Sequence, residues 1–349
     1  MKFYINGKFR STRITGVQRV ATELVRAMQL EIRERRPNVE VEVVSPPKWF
    51  AKTGLRPVLA LLWEQIVLPF RTRGGILLSL CNTGPVMKRR QVIVFHDAAV
   101  FDMPQNYNKS YVRLHKKMMT MHARRAARVL TTSRFSMQRL TMWLGLRESA
   151  IGFVGMGVEH ILTAEADDTI LNRLGVNKRQ YIVAIGSRQP GKNFGALLEA
   201  AAIAKLSTPV VVVGGKDVHV FGMGPIDRSE YLVEAGYVTD GELVALLQNA
   251  SCYVQPSLYE GFGLPVIEAM ALGVPVLCAR AGSLPEICGS AAILFDPRDP
   301  VDIAKAITDF LADEHLYQSM SQAGTEHARS HVWRSSAAHL LDTVLQLDE

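Results

Sequence analysis

Cysteine is scarce: the 349 residues include only four, Cys81, Cys252, Cys278 and Cys288, and none has a CxxC or CxxH neighbour. They read as buried thiols of a reducing compartment, not as metal ligands or a disulfide framework. No Asp-x-Asp pair occurs, and no His, Cys and Asp residues stand at ligand spacing. No cofactor and no metal are therefore expected. No G-x-G-x-x-G run opens a helix, which argues against a bound dinucleotide. The longest apolar run, Val58 to Phe70, is interrupted by Glu64 and Gln65 and is too short to cross a bilayer. Met1 to Thr12 lacks the apolar core of a signal peptide, so a cytoplasmic location is expected.

An apolar content of 48% is far from that of disordered chains. The length suits two domains, each with its own core. Charge is divided unevenly: residues 1–150 hold 27 Lys and Arg against 9 Asp and Glu, and residues 151–349 hold 13 against 24. A basic half meets anions, whether a membrane surface, a nucleic acid or a phosphorylated substrate. The arginines are not interleaved with a recognisable nucleic-acid module. A membrane- or phospholipid-facing half is the preferred reading, with a solvated basic face as the bland alternative.

The most informative stretch is Ser257 to Pro275, SLYEGFGLPVIEAMALGVP. Cys252–Gln255 and Val274–Ala279 have the apolar, β-prone pattern of buried strands. Between them, Gly261 and Gly263 allow close approach of the backbone, Pro265 suits the first helical position, and Gly273 suits the C-terminal cap. A helix opening after a glycine loop points amides and a positive dipole end at an anion, above all phosphate. Glu260 and Glu268 flank that opening, and carboxylates accept hydrogen bonds from sugar hydroxyls. Phosphate and hydroxyls together are what a nucleotide sugar presents. A Glu in a first helical turn is also favoured by the dipole alone.

The two glutamates in an E-x7-E frame around GFGLP, continued by GVPVLCARAGSLPEICGSAAILFDPRDP with its Pro285, Glu286 and Gly289, resemble family 4 of the retaining, nucleotide-sugar-dependent glycosyltransferases of the GT-B fold. The resemblance is strongest over 180–300 and covers nearly the whole chain. It implies an α/β GT-B architecture of two Rossmann-like, doubly wound domains facing across a cleft: an acceptor-side domain at 1–165 and a donor-binding domain at 166–330. It also implies a final amphipathic helix, 331–349, that crosses back to the first domain and carries Trp333 as a core anchor. The acidic run Glu165–Asp168 marks the linker.

Several residues take expected roles from position and from this resemblance. A strand at Phe3–Ile5 and a polar loop with Arg10 and Arg13 lead to Gly16, which opens an amphipathic helix; the matching glycine of the family approaches the donor diphosphate. Val39–Val44 and Gln91–Phe95 read as strands, and the second ends at His96-Asp97, where open α/β sheets bind ligands. The family's histidine there contacts the donor sugar, and Asp97 orients it or caps the next segment. Tyr107–Arg128 reads as a basic helix, Val129–Thr132 as a strand and Ser133 as a cap.

Arg188 and Lys192 lie on the loop between the strand Tyr181–Gly186 and the helix from Phe194, placed to neutralise a departing diphosphate. Lys192 matches the family well; Arg188 stands four residues before it, where relatives place an arginine directly before or five before. After the strand Pro209–Gly215, Gly236–Val238 reads as another, with Tyr237 and Val238 bordering the nucleobase and Asp240 near the next helix cap. Phe262, Gly263 and Leu264 supply amides, Glu268 holds the ribose, and Glu260 holds the donor sugar.

Pro46–Gly75 sets Trp49, Leu59, Trp63, Ile66 and Phe70 among Lys48, Lys52, Arg71 and Arg73, a pattern of interfacial amphipathic helices and equally of a core helix with a polar rim. Trp63-Glu64-Gln65 and Asn82-x-Gly84-Pro85 resemble the branch that contains mannosyltransferases of bacterial polysaccharide assembly. From that branch follow the expected donor, GDP-mannose, and the expected acceptor, a glycolipid or polyprenyl-diphosphate-linked glycan at the cytoplasmic face of the inner membrane. A UDP-sugar-dependent transferase, a nucleotide-sugar epimerase, and a non-catalytic nucleotide-sugar or nucleic-acid-binding protein are the alternatives.

Overall fold

The computed structural model describes residues 2–11, 14–47, 49–50, 56–215 and 229–347. Arg13, Lys48 and Lys52, singled out above, lie outside them. The chain divides into two units, residues 1–98 with 113–157 and 332–349, and residues 99–112 with 158–331. The change of unit falls at Gly157/Val158 and not at 165/166, because Val158 and Ile161 are already buried in the second core.

The first unit holds one sheet of β1 (Lys2–Asn6), β2 (Glu40–Val44), β3 (Ile76–Ser79), β4 (Gln91–Val94), β5 (Arg128–Thr131) and β6 (Ile151–Phe153). Their order is β2-β1-β3-β4-β5-β6, and every pair is parallel. The central strands β3 and β4 are buried at every residue, as parallel strands covered on both faces must be. The helix Gly16–Arg35 packs against the last helix, Trp333–Leu345. Arg334 clamps that contact through Glu31 and Glu34 at 3.1 and 2.6 Å, and Arg36 does so through Asp342 at 2.6 Å. Trp333 is 4% exposed, as its reading as a core anchor requires.

The second unit holds β7 (Ile182–Ile185), β8 (Val210–Val213), β9 (Leu232–Gly236), β10 (Cys252–Gln255), β11 (Val276–Ala279) and β12 (Ile293–Phe295). All pairs are again parallel, in the order β12-β11-β10-β7-β8-β9. Read from the β9 edge this is third, second, first, fourth, fifth, sixth, the doubly wound order whose direction reverses between first and fourth strands. Here that switch point lies between β7 and β10.

Two local readings change. Gly236–Val238 is not a strand: pairing ends at Gly236, whose φ of 66° turns the backbone out of the sheet, so Tyr237 and Val238 stand on the following loop. The next helix is capped by Thr239, and Asp240, its first residue, stands beside the cap as expected. Thr239 Oγ1 accepts from the Glu242 amide at 3.2 Å and Glu242 Oε2 from the Thr239 amide at 2.7 Å, a full capping box. The basic helix is Lys109–Arg125, shorter than 107–128, because the Ala127 amide turns to the carbonyls of Arg89 and Gln91 and leads into β5. Ser133 does cap its helix, accepting from the Ser136 amide at 3.1 Å.

Residues 56–71 form a helix interrupted by a π-turn at Trp63–Val67. Both readings of this stretch find residues to match. Trp63 and Leu68 are buried against Val44, Phe50 and Leu77, while Val58, Leu62, Ile66 and Phe70 are 55, 49, 54 and 74% exposed. Among the described residues, no helix is long and apolar enough to cross a membrane.

Candidate functional site

In open α/β sheets ligands bind outside the carboxyl ends of the strands, at the switch point. In the second unit that position is lined by the loop after β7, residues 186–193, and the loop after β10, residues 256–263. Lys192 of the first loop and Glu260 of the second, both expected from the sequence, meet: Lys192 Nζ lies 2.6 Å from Glu260 Oε1, with side chains 17% and 13% exposed.

The pair is held from below. The Tyr253 hydroxyl donates to Gln255 Oε1, which fixes the amide orientation. Gln255 Nε2 then donates to Ser257 Oγ at 2.5 Å and to Glu260 Oε1 at 2.8 Å. Burial, and then the Glu260 charge, push the Tyr253 hydroxyl well above its usual range, so it stays a donor. Both donors to Glu260 converge on Oε1, and among the described residues nothing bonds Oε2.

Glycines make the loops fit. A Cβ on Gly186 would touch the Lys192 stem at 3.1 Å, and one on Gly282, φ 61°, would strike the Glu260 backbone nitrogen at 2.7 Å. Asn193 closes the lysine's turn with φ 58° and donates through Nδ2 to the carbonyls of Pro256 and Pro297 at 3.1 and 2.7 Å, tying one loop to the other.

The helix after β10 runs Leu264–Ala271. Gly263, φ 97°, precedes it, no side chain caps it, and Pro265 sits in its first turn, so its amides and dipole end are left to an anion. The Phe262 carbonyl accepts from Ser283 Oγ at 3.0 Å, and its ring meets His331 edge-on at 5.9 Å. Leu264 is buried. Glu268, one turn in, is 6% exposed and accepts from His160 Nε2 at 2.9 Å.

Arg188 is not brought to the Lys192–Glu260 pair. Its guanidinium is buried against Glu234 of β9. Tyr237 is 44% exposed, and its ring covers Gly215, where a Cβ would come within 1.8 Å. Val238 packs on the second core.

His96 and Gly16 belong to the first unit and are taken by themselves. Gly16 is the first residue of its helix, and a Cβ there would meet nothing within 4 Å, so packing of its own unit does not demand glycine. His96 follows β4 and is 7% exposed. Its Nε2 lies 2.8 Å from the Leu80 carbonyl, which only accepts, so Nε2 carries the proton. Burial lowers its pKa to about 4. The ring is therefore neutral at pH 7, with a lone pair on Nδ1.

Several participants are invisible in the sequence. His160 is 108 residues from Glu268. Gln255 looks like an ordinary strand residue. Asp102 Oδ2 accepts from the Tyr259 hydroxyl at 3.0 Å, and Asn106 packs its amide against Gly191, although both precede β7 by many residues. No spacing rule links such pairs; only the second unit's inclusion of 99–112 does.

Residues 167–327 match the family described as Glycosyl transferases group 1. O-antigen chain mannosyltransferase B of Escherichia coli is 29% identical over 269 residues, covering 74% of this chain and 71% of that protein. Serotype-specific mannosyltransferase WbdA of Escherichia coli is 30% identical over 178 residues, or 48% of this chain, and the match spans only 22% of that longer protein. Among solved structures, sucrose-phosphate synthase from Thermosynechococcus elongatus has the same fold, with a TM-score of 0.72 at 16% identity over 99% of this chain and 98% of that one. Two doubly wound parallel sheets, with the likeness to solved structures of this class, give the chain the GT-B fold. Within it, the match to the group 1 glycosyl transferases lies in the second unit and includes the 257–275 motif, which resembles family 4.

Proposed function

We propose that the protein transfers mannose from GDP-mannose to a lipid-linked or polysaccharide acceptor in bacterial surface-polysaccharide synthesis, with retention of anomeric configuration and without a metal ion. The observation that carries the donor site is the Lys192–Glu260 pair at the switch point between β7 and β10, beside an uncapped helix N-terminus. The choice of mannose rests on the names of the relatives.

In this reading Lys192 and the amides near Phe262–Leu264 stabilise the departing diphosphate, while Arg188, expected from the sequence to share that task, is engaged by Glu234. Glu268, oriented by His160, binds the ribose hydroxyls. Glu260 turns Oε2 to the donor sugar and stabilises positive charge developing at its anomeric carbon. His96 accepts from a sugar hydroxyl through Nδ1, Gly16 leaves room beside the diphosphate, and Tyr237 and Val238 border the base. The bond from the anomeric carbon to the leaving phosphate oxygen breaks as the bond to the acceptor oxygen forms on the same face. The acceptor's hydroxyl proton passes to the leaving phosphate oxygen.

The basic first half and the exposed stripe Val58, Leu62, Ile66 and Phe70 support a peripheral site of action at an anionic inner-membrane surface and a polyprenyl-diphosphate-linked or glycolipid acceptor. The reading involves no nucleic acid.

The test is a thermal-shift panel of GDP-, UDP-, ADP- and dTDP-sugars with EDTA present. A donor at a hundred times its Kd adds about 2.7 kcal/mol. A shift confined to GDP-mannose, with an α-linked product by NMR, is expected. No shift with any donor overturns the donor site, and a shift that EDTA abolishes overturns metal independence. Binding to vesicles that ignores anionic lipid and salt overturns the membrane arm.

A further inference from the structure

Two motifs of the first unit, Trp63-Glu64-Gln65 and Asn82-Thr83-Gly84-Pro85, have no part in the mechanism above, yet the structure brings them together. Trp63–Val67 is a π-turn between two helical segments, and such turns are rare and concentrate at functional sites. Here it puts two consecutive polar side chains onto one loop. Glu64, fully buried, accepts from Asn6 Nδ2 at 2.9 Å, Thr83 Oγ1 at 3.0 Å and Lys8 Nζ at 2.7 Å. Gln65 Nε2 donates to the Gly84 carbonyl at 2.8 Å, and its Oε1 accepts from the Val86 amide at 3.0 Å.

The clamped loop, 80–86, is the one that holds His96. Asn82, in the left-handed region at φ 60°, accepts through Oδ1 from the His96 amide at 2.7 Å. The Leu80 carbonyl accepts from His96 Nε2 at 2.8 Å. The location is the first sheet's own switch point: its order reverses between β1 and β3, Asn6 and Lys8 lie at the end of β1, and residues 80–86 follow β3. A buried carboxylate held by three polar partners is an inefficient way to stabilise a core, since apolar replacements of such groups are often neutral or better. Its use is in holding geometry.

We propose that Glu64, Gln65 and Asn82 are positioning residues for His96. The π-turn fixes the 80–86 loop, and the loop fixes both the His96 backbone and the ring tautomer that keeps Nδ1 as an acceptor. This rests on the reading of His96 as a sugar contact.

The test uses the full chain labelled with 15N-histidine. Asn82→Gly tolerates the left-handed backbone and removes only the side-chain oxygen; Asn82→Asp restores an acceptor; Gln65→Ala releases the loop from outside. Two readouts are taken: the 15N shifts that report the His96 tautomer, and kcat and KM with the nucleotide sugar that stabilises the protein. For Asn82→Gly and Gln65→Ala, the Nε2–H signature is expected to average between tautomers. Their kcat is expected to fall by about 10- to 100-fold with donor KM little changed, and Asn82→Asp to recover both. An unchanged tautomer and kcat in variants that merely melt earlier overturn the proposal and leave the donor site standing. Full activity of His96→Ala overturns the role of His96 itself, and the proposal with it.

Discussion

Lys192 and Glu260 are 68 residues apart in sequence and 2.6 Å apart in space. Lys192→Ala removes the cation closest to the proposed leaving group and leaves Glu260 held by Gln255 alone. A fall in kcat/KM of about 10² to 10³-fold is expected from steady-state kinetics, as for loss of one preorganised electrostatic donor, with partial recovery in Lys192→Arg. His96 and His122 make a second prediction. Burial lowers both to about 4 from 6.5, so the unfolded chain binds more protons between these values. Their contribution is complete above about pH 6.5 and is lost as pH falls towards 4, at a cost of up to about 3 kcal/mol each. Urea melts at pH 7.5, 5.5 and 4.5 are expected to show a falling midpoint at constant slope. His96→Gln and His122→Gln are each expected to flatten that dependence.

At the scale of elements, the glycine loop before Leu264–Ala271 is the most constrained. Gly263 has φ 97°, and a Cβ there would lie 2.8 Å from Leu284 Cδ2. Gly263→Ala is expected to cost about 1–3 kcal/mol, read as a lower denaturation midpoint, and to weaken donor binding by tilting the helix N-terminus. This element was legible beforehand, since glycine, proline and a flanking apolar pattern act within a few residues. The strand around Tyr237 was misread for the opposite reason: β9 is an edge strand of half-buried residues, and its end is set by a glycine turn, not by hydrophobicity. Arg188 was placed on the correct loop, but loop position does not determine direction. Its partner, Glu234, comes from a strand that the pattern did not reveal.

For the whole molecule, two separate cores imply two cooperative units. Calorimetry is expected to resolve two transitions, with a bound nucleotide sugar raising chiefly the one that belongs to residues 158–331. At a hundred times Kd the gain is about 2.7 kcal/mol. A single transition that shifts as one would show that the units unfold together. Truncation after Val332 removes Trp333, Leu340, Leu341 and Val344 from the first core. It is expected to abolish the other transition, although the lost helix lies farthest from β1 in sequence.

The sequence alone determined that this chain builds two parallel α/β sheets and carries a glycosyltransferase motif at 257–275. Strand patterns, glycine turns and helix starts depend on neighbours a few residues apart, and the motif they frame is itself a contiguous run. The tertiary structure alone decided which charged groups meet. It paired Lys192 with Glu260, Glu268 with His160 and Arg188 with Glu234, and it hung His96 on a loop held by Glu64 and Gln65. Those pairings depend on strand order and on which loops a switch point brings side by side, and no local periodicity encodes either.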